Sequence, residues 1–282
     1  MAPKLQVVWH HKVLKETAVG LSNALSMMGV EHDLRFLSFS KIQDTGDLFI
    51  IVGVHHFSEL PANYIVIQVE QAASNWFRAS MYDALRGALA VIDFSPRLTK
   101  KWAKLGCEPS FYVPIRIPLD PFLEVQRGTA SPIKDIDVLF YGGRRERRVA
   151  IEKQLKRALP GRCVLFRYYD LFGAEREEKI ARGKIVLNLH FWPESSLETH
   201  RIEYLLARGA CVVSEKSSDP SLDAEYESCV AFSEYHHVVS AVSGLLADYK
   251  RRRDLSKEGT IGAYKRQMSC LHLREAFNSI CN

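Results

Sequence analysis

The residue types best suited to chemistry lie in the segment 183–215, where an apolar run is followed by polar side chains and a helix. The run at 185–189 predicts a buried strand, and Asn188 and His190 lie at its carboxyl end. Residues 198–201 include a short polar side chain and charged side chains, which are typical of a helix start. The predicted helix ends in a basic residue followed by a glycine. In open α/β sheets, ligands bind outside the carboxyl ends of strands, where a helix N-terminus presents free N–H groups to an anion. The segment therefore predicts a site for a phosphate-bearing ligand.

A second pattern of this kind is Gly142–Gly143, which follows a predicted strand and opens a helix with four arginines. Glycine lets the backbone close on a phosphate, and the helix N-terminus adds positive potential. A plain turn would also explain two adjacent glycines. The arginines, beginning with Arg144, favour the phosphate interpretation because a diphosphate needs its charge neutralised.

Two candidates for a general base lie in the first half of the chain. His11 is among the first polar residues after the first strand, and a histidine of ordinary pKa can accept a proton at neutral pH. Glu70 follows an apolar strand at 64–69, and a carboxylate at a buried strand end can have a raised pKa. A strand-end histidine can equally be structural, and Asp93 can cap the next helix. Three further histidines lie at predicted strand ends: His10, His55 and His56.

The order of the predicted elements places these residues on two parallel, helix-covered sheets, because strands alternate with helices in both halves of the chain. A Pro-rich segment between the halves has no sustained period and predicts a linker. One long helix is predicted from a basic turn at 250–253 to about residue 277. Other helices are predicted at 15–29, 74–87, 95–106, 144–159, 173–182 and 235–248. The predicted parts are a first domain at 1–118, a linker at 119–135, a second domain at 136–260 and a C-terminal helix at 261–282.

Composition is that of an ordinary soluble chain of 282 residues, with 38 basic and 33 acidic residues and a net charge of +5. Basic clusters at 142–148 and 250–253 can bind nucleic acid or form solvated helix faces, and we favour the second for 250–253. The six cysteines show no metal-ligand spacing and fit free thiols in a reducing compartment. The chain begins directly with a strand, so neither a signal peptide nor a transmembrane segment is predicted. These features predict a cytoplasmic protein.

The segment around 188–215 resembles the donor-domain motif of nucleotide-sugar glycosyltransferases of the two-Rossmann-domain (GT-B) type. It is most similar to the spore-maturation-protein-like branch and the glycosyltransferase group 1 donor domain, in which an N-L-H strand precedes an R-x-(F/Y)-E-x-L-A-x-G-A helix. Here the glutamate, Glu203, stands one position earlier than in that pattern, and Ser195 stands eight positions before it. The matching residues are Arg201, Glu203, Ala207, Gly209, Ala210, Val212, Val213, Ser214 and Glu215.

The resemblance implies an α/β protein of two Rossmann-like domains with a cleft between them and a C-terminal helix that returns to the first domain. It implies a glycosyltransferase that moves a sugar from a nucleoside diphosphate sugar, UDP-sugar favoured, to a hydroxyl of a glycan acceptor. Glu203 would hold the ribose, and Glu70 would act as the base of an inverting transfer, with His11 as a phosphate or acceptor contact. No cofactor or metal is expected, because the Asp-x-Asp of metal-dependent transferases is absent from the strand ends. The implied donor-binding residues are Gly142, Gly143, Arg144, Asn188, His190, His200, Arg201 and Glu203.

Two other functions remain open from the sequence. A glycosyltransferase that acts on modified DNA bases is permitted, but not favoured, by the basic clusters. A non-catalytic bilobal protein that binds a nucleotide or a sugar would have a similar architecture, although the missing export signal weakens this alternative. The sequence does not reveal the sugar, the acceptor, or whether the anomeric configuration is inverted or retained.

Overall fold

A computed structural model describes residues 3–71, 73–114, 133–267 and 270–281. Backbone contacts divide the chain into two units, one formed by 1–118 together with 267–282 and the other by 119–266. Within the described ranges, no helix is both long and apolar enough to cross a membrane. Most of the predicted linker, 119–132, lies outside the described residues.

The first unit contains a six-stranded sheet in which every pair of neighbouring strands is parallel. The strand order is β2-β1-β3-β4-β5-β6. Its strands are β1 (Leu5–Trp9), β2 (Asp33–Phe36), β3 (Leu48–Val52), β4 (Tyr64–Gln68), β5 (Ala90–Asp93) and β6 (Ser110–Tyr112). Its helices are α1 (Lys15–Met27), α2 (Ala79–Arg86), α3 (Pro96–Lys104) and α10 (Leu271–Cys281).

Apolar side chains on both faces of this sheet explain why the central strand β3 is an uninterrupted apolar run. On one face, Ile50 and Ile67 pack in a cluster with Leu25 of α1 and Phe277 of α10. On the other face, a second cluster includes Trp102 of α3. The C-terminal helix therefore covers part of the first unit's core, as predicted.

The second unit contains a five-stranded parallel sheet in the order β11-β10-β9-β7-β8. Its core is a cluster that joins this sheet to its helices, with Phe140, Leu155 and Val242 among the buried members. The strands are β7 (Ile136–Gly142), β8 (Val164–Tyr168), β9 (Gly183–Asn188), β10 (Val212–Glu215) and β11 (Val230–Ser233). The helices are α4 (Glu146–Ala158), α5 (Gly173–Arg182), α6 (Thr199–Ala207), α7 (Pro220–Ala224), α8 (Val238–Ala247) and α9 (Tyr249–Gln267).

Each sheet has a topological switch point, where the order of the strands reverses. There the connection from one strand runs to one side of the sheet, and the next strand in the chain lies on the other side. In the first unit this point lies between β1 and β3, and in the second it lies between β7 and β9. Ligands of such sheets bind at the carboxyl ends of the strands beside the switch point. Ligand sites are therefore expected at these two sheet edges.

Several predicted helix boundaries differ from the structure. The helix predicted at 74–87 begins only at Ala79, and the one predicted from Arg144 begins at Glu146. The single long helix predicted to about residue 277 is wrong, because α9 reaches only Gln267 and α10 begins at Leu271. By its contacts, the second unit extends to Arg266.

Candidate functional site

Gly142–Gly143 lies at the carboxyl end of β7, beside the switch point of the second unit. Gly142 has φ of +149°, a conformation that other residues rarely adopt. A Cβ atom on Gly143 would stand 3.1 Å from the ring of Phe191 and 3.3 Å from the ring of Tyr169. Glycine is thus needed at both positions, because the backbone turns sharply and then passes between two aromatic side chains.

Several buried polar atoms at this edge have no hydrogen-bond partner within the described chain. Asn188 donates from Nδ2 to Ser214 Oγ at 3.0 Å, but its Oδ1 atom is unpaired. His190 is fully buried, and both of its ring nitrogens are unpaired. The hydroxyl of Thr199 and the Oδ1 atom of Asp223 are also unpaired. Buried polar groups are almost always satisfied in native proteins, so this concentration indicates a place for a polar ligand.

Two of the arginines of α4 stabilise the loops of the site and do not face a ligand. Arg147 forms a two-pronged ion pair with Glu215, one bond being 2.8 Å long, and also donates to the carbonyl of His190 at 2.6 Å. Arg148 is buried and donates to the carbonyl of Gly143 at 2.9 Å and to that of Leu189 at 3.0 Å. Together they fix the loop after β7 to the loop after β9.

The remaining predicted cations have different surroundings. Arg201 donates to the carbonyl of Tyr141 at 2.6 Å, and its guanidinium lies over the Tyr141 ring, while its Nε atom is buried without a partner. Arg144 is exposed and precedes the helix instead of lying within it. Arg145, the N-cap residue of α4, lies 4.1 Å from the centroid of the Trp192 ring. Arg144 and Arg145 are thus fully in the exposed class, whereas Arg147 and Arg201 are only partly exposed.

Glu198 is a carboxylate at this edge that the sequence analysis did not include among the site residues. It precedes the first residue of α6, and its Oε1 atom lies 3.9 Å from a guanidinium nitrogen of Arg148. Burial raises the pKa of this carboxyl, but Arg148 and Arg201, with smaller effects from His190 and His200, hold it below its ordinary value. Glu198 is therefore an ionised, mostly buried group, with 15% of its side chain exposed, beside the unpaired atoms. His200, the predicted donor contact, is half-buried in the first turn of α6.

Glu203, the predicted ribose contact, is bonded within the second unit. Its side chain is fully buried, Tyr226 donates to Oε1 at 2.8 Å, and Arg266 Nε donates to the same oxygen at 2.6 Å. A second guanidinium nitrogen lies 3.3 Å from Oε2. The carboxylate is thus engaged by the protein on both oxygens, and a ribose would have to compete with these bonds.

Histidines gather at the switch point of the first unit. His11 follows β1, while His55 and His56 lie in a short turn after β3 that begins at Gly53. The rings of His11 and His56 are stacked with centroids 5.0 Å apart, and those of His55 and His56 are 4.1 Å apart. Gly53 has φ of +74°, and a Cβ atom there would overlap Leu14, so glycine is required for this turn.

Glu70, the predicted base, lies beside this cluster at the end of the neighbouring strand β4. Its Oε1 atom is 3.4 Å from Nε2 of His55. The side chain of His55 is 2% exposed, whereas that of Glu70 is 26% exposed. Burial, followed by the neighbouring His56 and His11, lowers the pKa of His55 to about 3. The ring is therefore neutral at physiological pH.

His11, the other predicted catalytic residue, is exposed, and its Nδ1 atom accepts a bond from the backbone N–H of Val13 at 3.4 Å. The structure thus brings His11 and Glu70 into the same group of side chains through His55 and His56. His11 lies on the solvent side of this group.

Asp93 has a different role from the predicted helix cap, because Ser95 caps α3 by accepting from the N–H of Leu98 at 3.3 Å. The Asp93 carboxyl is fully buried and accepts from the indole of Trp102 at 2.6 Å and from the N–H of Ser95 at 2.8 Å. Burial raises the pKa of Asp93 to about 7, although these donors oppose the shift. It supports the end of β5 from within.

No group of three or more His, Cys, Asp or Glu side chains suited to a metal ion is present in the part of the chain that the structure describes.

Comparison with known proteins shows the fold. No family model and no curated protein matches the chain. TarM is similar with a TM-score of 0.59 and 10% sequence identity, and the match covers 85% of this chain and 55% of TarM. A sucrose-phosphate synthase from Thermosynechococcus elongatus is similar with a TM-score of 0.60 and 12% identity, and the match covers 98% of this chain and 99% of that one. T4 phage BGT in complex with UDP and Mn²⁺ is similar with a TM-score of 0.60 and 13% identity, again over 98% of this chain and 99% of that one. The chain thus spans about half the length of TarM.

These neighbours are glycosyltransferases of the GT-B fold, and the chain has that fold over nearly its whole length. The predicted fold class, α/β with two Rossmann-like domains, is confirmed. At 10–13% identity the likeness carries the architecture alone.

Proposed function

We propose that this protein is a glycosyltransferase that transfers a sugar from a nucleoside diphosphate sugar, UDP-sugar favoured, to a hydroxyl of a glycan acceptor. The observation that carries the proposal is the group of unpaired buried polar atoms on Asn188, His190 and Thr199 at the switch point of the second unit. Hydrogen-bonding ligands of GT-B-type sheets bind at such an edge. The similarity of segment 188–215 to spore-maturation-protein-like donor domains supports the same assignment.

The donor is assigned to the second unit. Gly142–Gly143 lets the backbone approach the diphosphate, the N-terminus of α6 adds positive potential, and the exposed Arg144 and Arg145 supply positive charge. Glu198 replaces Glu203 as the carboxylate proposed for the ribose, because it lies at the start of α6 beside the unpaired atoms. Asn188 and His190 complete the hydrogen-bonding groups.

The acceptor is assigned to the first unit, with Glu70 as the base of an inverting transfer. Glu70 follows the strand β4, is partly exposed, and lies beside the histidine cluster. As the base, it takes the proton of the acceptor hydroxyl while the diphosphate leaves the sugar. His11, which is exposed in the same cluster, is proposed to contact the acceptor or the donor phosphate.

A glycan acceptor is favoured over modified DNA because the first unit is nearly neutral. Residues 1–118 and 267–282 hold 13 Lys and Arg residues against 11 Asp and Glu residues. Binding to a duplex depends on several phosphate contacts from cations, and a nearly neutral unit has few excess cations for them.

Free thiols at the five described cysteines agree with a cytoplasmic setting.

Metal independence is part of the proposal. It is supported by the arginines of the donor edge, which can neutralise a leaving diphosphate without a divalent ion. Activity that survives excess EDTA is expected. T4 phage BGT, one of the similar structures, is in complex with UDP and Mn²⁺, so loss of activity on chelation and recovery with Mn²⁺ would show the metal-dependent alternative.

The decisive experiment is a thermal-shift screen with UDP, GDP, ADP and TDP. A nucleotide at a hundredfold excess over its dissociation constant stabilises the folded state by roughly 2.7 kcal/mol. UDP is expected to give the largest shift. No shift with any of the four would contradict the proposal.

A matched pair of variants makes this screen specific to the site. Thr199→Val removes a buried hydroxyl that has no partner in the structure, so the stability of the free protein should be kept while the UDP shift falls. Thr260→Val is the control, because that hydroxyl bonds to the carbonyls of Leu206 and Ser256. It should lower stability and leave the UDP shift unchanged. The reverse result would place the ligand elsewhere.

A further inference from the structure

Trp76 is an exposed aromatic residue beside the histidine cluster of the first unit. It is 49% exposed, although tryptophan is highly buried on average. Its indole ring lies 5.2 Å from the ring of His55 and 5.8 Å from that of His56, centroid to centroid. Single exposed apolar residues are common on protein surfaces, but this one rests on two further rings. Trp76 therefore extends an aromatic surface instead of standing alone.

This aromatic surface continues from Trp76 to His11. The rings of His55 and His56 are 4.1 Å apart, and the His56 ring is stacked on that of His11 at 5.0 Å. The two ends of the series, Trp76 and His11, are both exposed. The carboxylate of Glu70, 3.4 Å from Nε2 of His55, borders the same group. The first unit thus presents a row of rings with a carboxylate beside it.

The segment that carries Trp76 is held in place by its neighbours. The ring of Phe77 is stacked on the buried ring of Trp102 at a centroid distance of 5.1 Å. The backbone N–H of Trp76 donates to Oγ of Ser74 at 3.3 Å, and that of Phe77 donates to the Ser74 carbonyl at 3.3 Å. The indole is therefore attached to an ordered turn, so contact with a ligand costs little backbone entropy.

The buried imidazoles of this surface are uncharged at neutral pH. Burial, followed by the neighbouring His56 and His11, lowers the pKa of His55 to about 3. Burial, followed by His11 and His10, lowers the pKa of His56 to about 4. The face of a neutral aromatic ring is weakly negative and attracts the slightly positive hydrogens of C–H groups. Such a surface suits a neutral ligand with an apolar face better than an anion.

We propose that Trp76 is a specificity-determining residue of the acceptor site and binds the C–H face of a pyranose ring. A pyranose carries C–H groups on its faces and hydroxyl groups around its rim. Stacked on the indole, it presents these hydroxyls to the polar groups beside Trp76. The inference rests on the proposed function, because that function assigns the acceptor to the first unit. It adds a residue that the sequence motifs do not include.

A nucleobase would also stack on an exposed indole, since every base has a π-face. The nearly neutral charge of the first unit and the uncharged imidazoles favour the glycan, because a nucleic acid brings a phosphate with each base. The test therefore includes a modified nucleoside beside the sugars.

The first experiment follows the indole N–H signal of Trp76 in ¹H–¹⁵N NMR spectra of the full chain, assigned by its absence in Trp76→Phe. The probes are the methyl glycosides of glucose, galactose and mannose, and the nucleoside 5-hydroxymethyl-2′-deoxycytidine. We expect at least one glycoside to shift this signal in a saturable manner and to leave the signal of the buried Trp102 unchanged. The nucleoside should not shift it.

The second experiment measures the dissociation constant of that glycoside by ligand-observed NMR. Trp76→Leu removes the ring face, and we expect the dissociation constant to rise about 3- to 10-fold, the size of one aromatic contact. Trp76→Phe should recover part of the affinity. Phe39→Leu is the matched control, because it removes a ring that is 77% exposed in the segment after β2. It should leave the dissociation constant unchanged, and all three variants should keep the thermal shift with UDP.

Three results would overturn the inference. One is the lack of a saturable shift of the Trp76 signal with any of the glycosides, and another is equal affinity in wild type and Trp76→Leu. The third is a shift with the nucleoside alone, which would favour a nucleic-acid acceptor. Sugar binding needs no nucleotide, so a protein that binds a glycoside through Trp76 without a UDP shift would contradict the proposed function and keep Trp76 as a sugar-binding residue.

Discussion

Glu203 has no exposed surface, and both of its carboxylate oxygens lie within hydrogen-bonding distance of Arg266 or Tyr226. A buried carboxylate needs a partner of opposite charge and hydrogen-bond donors for its lone pairs. Glu203 has both, and both come from the second unit itself. Its role is therefore to join α6 to the end of α9.

Removing the arginine of this pair should destabilise the protein strongly. Arg266→Ala leaves a buried charge without its partner, and we expect the free energy of unfolding to fall by about 3–5 kcal/mol in urea titrations at pH 7. Arg253→Ala is the control, since that side chain is 65% exposed and its loss should stay within about 0.5 kcal/mol. Adding Glu203→Gln to Arg266→Ala should recover part of the loss. Equal effects of Arg266→Ala and Arg253→Ala would contradict the pair's structural role.

The buried histidine of the first unit should make the protein sensitive to acid. The pKa of His55 is about 3 in the folded state, below the ordinary value of 6.5, because burial and the nearby His56 and His11 disfavour the charged ring. Between about pH 3 and pH 6.5, the unfolded chain therefore binds a proton that the folded state does not. The stability present at neutral pH is lost as the pH falls through this window, by up to about 1.4 kcal/mol per pH unit.

His55→Gln should reduce this acid loss, whereas His236→Gln, which changes an exposed histidine, should not. The measurement is the urea midpoint from pH 7.5 to pH 4.5 for the three proteins. A slope against pH that is the same in His55→Gln and wild type would mean that His55 is charged in the folded state.

The sequence predicted where the candidate residues lie in the fold better than it predicted which groups they bond to. Asn188 and His190 were expected at a strand end because an apolar run delivers them there, and the structure places both at that edge. The bonding of Arg148 to backbone carbonyls could not be predicted, because any arginine after a glycine pair looks equally able to meet a phosphate. Whether Glu198 or Glu203 is available as the ribose contact depends on the side of α6 that each side chain faces. The bonding of Glu203 to Arg266 of α9 could not be predicted from the sequence.

The helices at the end of the chain show how one element can be misjudged when its packing partner is unknown. Residues 249–277 contain no strong stop signal, so a continuous helix was predicted. The structure ties α9 to α6 by a stripe along one side: Gly259 packs on Leu206, Thr260 bonds to the Leu206 carbonyl, and Ala263 is buried. These contacts hold α9 to the second unit, while the next helix packs in the first.

The close approach of α9 to α6 predicts opposite effects for two helical glycines. A Cβ atom on Gly259 would lie 2.6 Å from Cδ2 of the buried Leu206, whereas one on Gly244 meets nothing within 4 Å. Gly244→Ala should therefore stabilise by about 0.4–1 kcal/mol through helix propensity and the unfolded chain. Gly259→Val should destabilise by about 1–3 kcal/mol through overpacking. Thermal or urea unfolding measures both, and a gain in stability for Gly259→Val would mean that α9 does not pack as described.

The strands predicted at 64–69 and 185–189 are confirmed as β4 and β9 to within two residues. Both predictions rest on apolar runs, which are the pattern of a parallel strand buried on two sides. The short helix α2 was predicted five residues too early, since the segment 74–78 before it is polar and aromatic without a clear cap.

At the scale of the whole molecule, the two units differ in how the chain builds them. The second unit is one continuous stretch, 119–266, with its own apolar core. The first unit is made from two stretches, because α10 supplies Leu273, Ala276 and Phe277 to one of its two core clusters. The first unit therefore depends on residues that follow the second unit in the chain, whereas the second unit is built from one stretch.

This difference predicts the behaviour of fragments. A fragment of residues 119–266 should fold cooperatively by itself and bind UDP with nearly the affinity of the full chain, since the unpaired atoms of Asn188, His190 and Thr199 all belong to it. A fragment of residues 1–118 should expose the apolar surface that α10 covers, and so bind a hydrophobic dye and aggregate. Circular dichroism and calorimetric titration with UDP measure the first property, and dye fluorescence measures the second. Loss of UDP binding in a folded 119–266 fragment would show that the donor site needs residues of the first unit.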